Sequence, residues 1–251
     1  MKQSEIIVGL PAYNEEENIS IFLNSIINNF DNSLITICIV DDGSKDNTVN
    51  VVKSYIKKYK FIYLLEREKK QNRTQVYTAY HAGLSFLLEK NIDIFCQIDS
   101  DNMVDINSIK RAIDFLSNNY NLVDVIKLSK YHKDSTVDRK LIRKFYSYLY
   151  SFICKIFYGS KIKDYSTGIR FYNLRSVVFL NKNIKLFSSP IGLLDDLLSL
   201  INNNFIIKEM PFILSDRKFG SSFLTIRESF LCLYELILCL FLNIKKKKES
   251  I

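Results

Sequence analysis

The chain of 251 residues is poor in the residues that interrupt regular structure, with 7 glycines and 3 prolines. So few breakers, beside 18 phenylalanines and 15 tyrosines, exclude a loop-dominated protein and predict packed helix and strand. Histidine is scarcer still: His81 and His132 are the only two, which argues against a histidine-based metal centre. The five cysteines, Cys38, Cys96, Cys154, Cys232 and Cys239, form no Cys-x-x-Cys pair and sit inside apolar runs. They predict buried reduced thiols rather than disulfides or a thiolate zinc site. The start of the chain lacks the long apolar core of a secretory signal, so a cytosolic protein is expected. Near the other end, residues 230–242 are apolar except for Glu235, yet fall short of the roughly 20 residues of a spanning helix. With Lys245–Lys248 behind it, that segment has two readings: an interfacial helix whose lysines meet anionic lipid, or a core helix with a solvated tail.

What is present is an ordinary globular composition, 47% hydrophobic and 25% charged, in a chain long enough for one sizeable core. A net charge of +8 favours anionic partners such as nucleotides, nucleic acid or acidic lipid, without choosing among them. No basic-aromatic stacking motif or helix-turn-helix pattern accompanies that charge, which speaks against nucleic acid.

Strand-like and helix-like segments alternate through the first hundred residues. Short apolar runs at residues 6–10, 35–40, 61–65 and 92–98 predict four strands. Between them, the spacing of Ile19, Phe22, Leu23, Ile26 and Ile27 predicts one helix. Asp46 opens a second through Val49, Val52 and Ile56, and residues 76–88 form a third. This alternation implies a mainly parallel, doubly wound sheet, in which ligands bind beyond the carboxyl ends of the strands. The second half predicts strands at residues 123–128 and 205–210, and helices at 139–158, 193–201 and 223–244. No repeat or linker divides the chain.

Polar clusters fall at those strand ends. Val40-Asp41-Asp42-Gly43-Ser44 places two carboxylates where they can accept hydrogen bonds from a base or ribose. By itself it reads equally as a solvated Asp-Gly turn with a helix cap. Asp99-Ser100-Asp101 ends the fourth strand, and its hard oxygen donors suit Mg²⁺ or Mn²⁺ shared with substrate phosphates. An isolated Asp-x-Asp is usually only an acidic loop; its place in the strand series raises its value.

These residues together resemble a known family. Pro11-Ala12-Tyr13-Asn14-Glu15-Glu16, the Val40–Thr48 segment and Asp99-Ser100-Asp101 look like the signatures of family 2 glycosyltransferases with the GT-A fold. The nearer likeness is to the dolichyl-phosphate mannose synthase and polyprenyl-phosphate glycosyltransferase branch. Ala79-Tyr80 with Gly83-Leu84, Asp164-Tyr165-Ser166-Thr167-Gly168-Ile169-Arg170, and Glu209-Met210-Pro211-Phe212 with Arg217-Lys218-Phe219-Gly220-Ser221-Ser222 extend it to residue 222.

The resemblance implies an α/β GT-A domain over residues 1–222 and an apolar helix with a basic tail over 223–251. It implies that Pro11, Tyr13, Glu15 and Asp42 hold a donor nucleotide with Asp41 beside it. Asp99 and Asp101 would meet Mg²⁺ or Mn²⁺ and the diphosphate, and Arg217 would close over it. Asp195, or its neighbour Asp196, stands where the family has an acidic residue facing the reaction centre. Two departures are visible. Gln75 and Tyr77 occupy positions that are often glycine, and Met103 stands where relatives carry a metal-binding Gln. A thioether is a poor ligand for a hard cation.

The helix at residues 139–158 carries separate information. Leu141, Ile142, Phe145, Leu149, Phe152, Ile153 and Ile156 form an apolar stripe, with Arg139, Arg143 and Ser147 at successive fourth positions on the opposite side. Such a ladder can bind a phosphate, or can be the solvated basic face of an ordinary amphipathic helix. The resemblance assigns Arg143, Ser147 and Lys130 to an acceptor lipid phosphate. The function expected is transfer of a sugar, with inversion, from a UDP- or GDP-sugar to a polyprenyl phosphate at the cytoplasmic face of the membrane. Two rivals remain: transfer to a hydroxyl of a growing glycan, either lipid-linked or a surface polysaccharide, and a non-catalytic nucleotide- or nucleic-acid-binding module.

Overall fold

The computed structural model describes residues 6–67, 76–88, 93–101, 103–159, 162–183, 191–216, 234, 236 and 237. The chain begins with β1 (Ile6–Ala12), α1 (Glu16–Asn29), β2 (Ile35–Asp41), α2 (Thr48–Lys58), β3 (Ile62–Glu66), α3 (Val76–Leu87) and β4 (Ile94–Gln97). The predicted alternation is therefore observed. Strand ends differ by one to two residues, because pairing continues wherever the neighbouring strand offers partners: Ala12 pairs with Asp41, and Asp41 with Glu66.

The second half runs α4 (Ile106–Asn118), β5 (Val125–Leu128), β6 (Thr136–Val137), α5 (Leu141–Tyr158), β7 (Arg170–Asn173), α6 (Leu174–Lys182), α7 (Ile191–Asn202), β8 (Ile207–Met210) and β9 (Ile213–Leu214). Seven strands form one sheet in the order β3-β2-β1-β4-β7-β5-β8; β6 and β9 form a separate parallel pair. The large sheet is parallel except for β7, which runs antiparallel to both β4 and β5. Sequence reading predicted no strand at β7 and no helix at α4 or α6. Arg170-Phe171-Tyr172-Asn173 has polar ends, yet all four residues are buried because neighbours flank it on both sides.

Alternate strand residues feed two cores, as the pleat requires. Ile35, Ile37 and Ile39 of β2, with Ile94 and Cys96 of β4, pack with the apolar faces of α1 and α4 and Val52 of α2. Cys38, Val40, Phe95 and Tyr172 point to the other side, against Ala79 and Leu84 of α3, Val177 and Leu180 of α6 and Leu200 of α7. A smaller third cluster joins Cys154 of α5 to Leu194 and Leu197 of α7, and buries Leu236. Cys38, Cys96 and Cys154 are free and buried, and burial pushes Cys38 and Cys154 up to about 12, so these thiols stay protonated. Cys232, Cys239 and most of the predicted C-terminal helix lie outside the described residues; Tyr234, Leu236 and Ile237 are helical. Among the described residues no helix is long and apolar enough to cross a membrane.

Two local expectations are corrected. Asp46 is not the formal cap of α2, which begins after Asn47. Its Oδ1 nonetheless accepts from the Thr48 N–H at 3.0 Å and from the Thr48 hydroxyl at 2.6 Å, which does a cap's work from one residue upstream. The second correction concerns α5. Its apolar stripe faces outward, with Leu141 82%, Phe145 59% and Ile156 62% exposed, while Ser151 and Cys154 are buried. Arg139, Arg143 and Ser147 are half-buried.

Candidate functional site

The carboxyl ends of β1, β2 and β4 lie side by side because the parallel register aligns Ala12 with Asp41 and Gly9 with Gln97. The loops that follow are tied together. Asn14, in the left-handed region at φ 53°, donates its N–H to Ser44 Oγ at 2.9 Å and accepts the Lys45 N–H on Oδ1 at 2.8 Å. The Glu15 N–H donates to Thr48 Oγ1 at 2.8 Å, and the buried Glu15 carboxylate accepts from Asn18 Nδ2 at 2.8 Å. Asp41 Oδ2 accepts the N–H groups of Gly43 and Ser44, both at 3.0 Å, in a turn that requires φ 80° at Gly43. Asp41 Oδ1 is buried with no hydrogen-bond partner, and Asp42 pairs with Arg67 at 3.6 Å. Pro11 and Tyr13, both half-buried, complete this end of the sheet. Five of the predicted donor residues thus share one ledge.

Asp99 and Asp101 follow β4, two residues apart. The hydroxyl of Ser100 between them donates to the Pro11 carbonyl at 2.7 Å, locking their loop to the β1 ledge. Tyr80 of α3 donates its hydroxyl to Asp99 Oδ1 at 2.8 Å. Burial, then the charges of Asp99 and Asp101, push the Tyr80 phenol well above its usual range, so it remains a donor. The Met103 N–H reaches Asp101 Oδ1 at 3.4 Å, a weak contact.

Two carboxylates, with no cluster of three acidic, histidine or cysteine ligands among the described residues, do not make a closed protein cage. They do fit Mg²⁺ or Mn²⁺ held in part by substrate phosphates and water, the usual mode for these ions. Met103 adds nothing to that set. Its sulfur instead accepts from Arg139 Nη2 at 3.2 Å.

Arg139 is the residue that sequence reading undervalued. The predicted helix at residues 139–158 begins at Leu141, so Arg139 lies two residues ahead of α5. Burial lowers its pKa, and the carboxylates of Asp101 and then Asp99 oppose that shift, which places the guanidinium in their field. Arg143 is near enough to repel it. The ladder continues inward: Lys130, just beyond β5, donates Nζ to Ser147 Oγ at 3.2 Å and its N–H to Asp164 Oδ2 at 2.8 Å. Burial depresses the Lys130 pKa, while Asp164 and Asp99 hold it up. A band of charge therefore runs from Asp99 and Asp101 through Arg139 to Lys130 and Ser147.

A buried ionic framework stands behind this band. Asp164 accepts on Oδ1 from the Ser166 and Thr167 N–H groups, and on Oδ2 from the Thr167 hydroxyl. Burial alone would raise its pKa, but Lys127 and Lys130 with those donors hold it well below the usual carboxylate range. Lys127, wholly buried, donates to the Thr167 carbonyl at 2.8 Å, and desolvation brings its pKa down to about 7. Glu209 accepts the Lys163 and Asp164 N–H groups, each at 2.8 Å. The segments that extended the family likeness thus serve here to shape the loop beneath Lys130.

Asp195 and Asp196 lie on α7 and differ in surroundings. Asp196 is buried, and both its oxygens are engaged, by Tyr77 Oη at 3.2 Å and His81 Nε2 at 2.9 Å. Asp195 is half-buried. Gln75 and Arg217 lie outside the described residues.

A mainly parallel sheet covered on both faces, with acidic loops at the carboxyl ends of β2 and β4, is the architecture of GT-A glycosyltransferases. Solved structures of that class superpose on it. Glucosyl-3-phosphoglycerate synthase of Mycobacterium tuberculosis, in complex with Mn²⁺, UDP and glucosyl-3-phosphoglycerate, matches with a TM-score of 0.61 at 16% identity, over 87% of this chain and 73% of that one. Residues 7–178 match Glycosyl transferase family 2, and the chain belongs to that family. Two relatives are named for dolichyl-phosphate acceptors, in keeping with the branch resemblance. UDP-N-acetylglucosamine–dolichyl-phosphate N-acetylglucosaminyltransferase of Methanococcus voltae is 28% identical over 199 residues, 74% of this chain and 76% of that protein. Dolichyl-phosphate beta-glucosyltransferase of Trichomonas vaginalis is 26% identical over 190 residues, 70% of this chain. The match spans 56% of the Trichomonas protein's length.

Proposed function

We propose that the chain is an inverting glycosyltransferase that moves a sugar from a UDP- or GDP-sugar to a polyprenyl phosphate at the cytoplasmic face of a membrane. The observation that carries this reading is the charge band. The Asp99–Asp101 acid pair at one end meets Arg139, Lys130 and the Ser147 hydroxyl at the other, beside a helix, α5, whose outer face is apolar.

In this reading Pro11, Tyr13, Glu15, Asp41 and Asp42 hold the nucleotide on the β1–β2 ledge. Asp99 and Asp101 face the donor diphosphate. A bound Mg²⁺ or Mn²⁺ would supply charge neutralisation for the departing diphosphate. Lys130, Arg143 and Ser147, joined by Arg139, orient the acceptor phosphate. Its oxygen attacks the anomeric carbon as the bond to the diphosphate breaks, and the nucleoside diphosphate leaves with the electron pair. A phosphate monoester, with a second pKa of about 6, needs no general base near neutral pH. Arg217 is assigned to close over the diphosphate.

The exposed stripe of α5 is read as resting in an anionic lipid surface, a placement that leaves the inward face to the acceptor phosphate. Residues 1–222 are read as the transferase domain and 223–251 as an apolar helix with a basic tail, docked in part through Leu236. Tyr148 and Phe157 on the outer face of α5 are half exposed or more, as aromatic side chains are near headgroups.

One observation favours a second reading, transfer to a glycan hydroxyl. Asp195 is half-buried where its neighbour Asp196 is buried, and a carboxylate open in part to solvent can serve as the general base such an acceptor needs. The test is a donor screen with UDP- and GDP-sugars and Mn²⁺ or Mg²⁺, with polyprenyl phosphate, with glycan, and without acceptor. Nucleoside diphosphate release that depends on polyprenyl phosphate supports the first reading. Release that depends on glycan selects the second. Binding to nucleic acid that weakens steeply with salt, and no release under any condition, would replace both.

A further inference from the structure

Helix α3 presents two phenols, three residues apart, to two carboxylates on other elements. Tyr77 Oη donates to Asp196 on α7 at 3.2 Å, and Tyr80 Oη donates to Asp99 after β4 at 2.8 Å. Tyr80 is 3% exposed, so water does not compete for its hydroxyl. Asp99 is half-buried, and among the described residues no other hydrogen-bond donor reaches its carboxylate. The torsion that turns an aspartate carboxylate is intrinsically broad, so one donor on one oxygen decides how the group is presented.

The ring of Tyr80 belongs to the buried core, and α3 packs on β1, β2, α6 and α7. The donor is therefore held by the fold and not by the loop it serves.

We infer that Tyr80 is a positioning residue: by holding Asp99 Oδ1 it presents Oδ2 to the divalent cation and donor diphosphate. The inference rests on the reading of Asp99 and Asp101 as the cation-binding pair. Hydrogen bonds to a ligating carboxylate typically matter by about 10–100-fold in metal affinity.

Tyr77 provides a matched control, because Tyr77→Phe removes a buried phenol hydroxyl from the same helix but at Asp196. The experiment measures Mn²⁺ binding by the full chain, from the electron paramagnetic resonance of free Mn²⁺, with UDP or GDP present. Wild type, Tyr80→Phe, Tyr77→Phe and Asp99→Asn are compared, with thermal unfolding as a check that each is folded. Tyr80→Phe should raise the Mn²⁺ Kd by about tenfold or more, and Tyr77→Phe by less than about twofold. Wild-type affinity in folded Tyr80→Phe would overturn the inference, as would equal losses in the two tyrosine variants. Wild-type affinity in Asp99→Asn would instead overturn the assignment of the cation-binding pair, and the inference with it.

Discussion

The ring of Tyr77 lies where a side chain on Gly192 would have to be. A Cβ built on Gly192 would fall 2.5–2.7 Å from Tyr77 Cγ and its two Cδ atoms, closer than carbon atoms approach. These ring atoms sit near the root of the side chain, which the Tyr77–Asp196 bond holds in place, so they cannot swing aside cheaply. Tyr77 occupies a position that the resembling branch often gives to glycine, and here the missing side chain is on the facing helix. The pair locks α3 to α7 beside the His81–Asp196 contact.

Gly192→Ala should therefore destabilise the fold by about 1–3 kcal/mol through overpacking. Tyr77→Ala should cost about 3–5 kcal/mol, as large-to-small changes of buried aromatic residues do. Combined, the two should cost less than their sum, because the smaller residue at 77 makes room for the methyl group. Urea denaturation of the four proteins measures this cycle; strict additivity would show that the two positions do not share space.

Asp101→Asn should abolish sugar transfer with a stability change within about 0.5 kcal/mol, since the side chain contributes little to either core. Removal of divalent ions with EDTA should have the same effect on turnover, and Mn²⁺ or Mg²⁺ should restore it in wild type only. Undiminished transfer in either case would refute metal-dependent donor binding at Asp99 and Asp101.

Arg143→Ala and Lys130→Ala should each weaken use of a polyprenyl phosphate by at least tenfold. A charge-assisted hydrogen bond contributes about 1.5–3 kcal/mol. Donor affinity, measured by nucleotide-sugar binding, should not change in Arg143→Ala. Arg139→Ala should impair both substrates, because its guanidinium lies in the field of Asp101 and Asp99 as well as beside Arg143. Equal loss of donor and acceptor binding in all three would dissolve the distinction between the two ends of the band.

Phe145→Glu and Phe152→Glu should lower binding to anionic liposomes strongly while leaving the unfolding midpoint nearly unchanged. Both side chains are largely outside the core, at 59% and 48% exposed. Vesicle sedimentation reads the outcome. Unaltered sedimentation in both variants would detach α5 from the membrane.

Stability should vary with pH through Lys127. Its folded pKa of about 7 lies below its usual 10.5, so between those values the unfolded chain binds more protons than the folded one. Stability should rise with pH across that window, while below pH 7 the cost of burying the charged amine is constant. Asp164 acts at the other end. Its folded pKa is below the usual 3.8, so stability falls as the pH drops through the carboxylate range. Urea titrations from pH 6 to 10 should show a smaller upward slope in Lys127→Met, whatever the net change in stability, with Lys130, also depressed by burial, contributing the rest; an identical slope in the variant would remove Lys127 from the linkage.

Much of this was legible before any coordinate. The first four strands announced themselves because apolar runs bounded by polar turns recur at regular spacing, and Asp41, Asp42, Asp99 and Asp101 stood at their ends. Strand β7 was not legible. Its four residues begin with Arg170 and end with Asn173, and their burial comes from β4 and β5, which are far away in sequence. Helix α4 did carry a signal, in the Asp105 side chain that caps it and in Ile109, Ala112, Ile113 and Leu116 on its buried face.

Sequence alone determined that α5 has two unlike faces, one apolar and one bearing Arg143 and Ser147, because helical periodicity sorts residues by face. It also determined which carboxylates end which strands. Only the tertiary structure decided which face of α5 turns inward, since that depends on partners from distant segments. Lys130 meets Ser147, the Tyr165 N–H meets Ser151 at 3.1 Å, and Cys154 enters the cluster with α7. Periodicity shows that a helix has sides; the neighbours that satisfy its polar groups determine which side is covered.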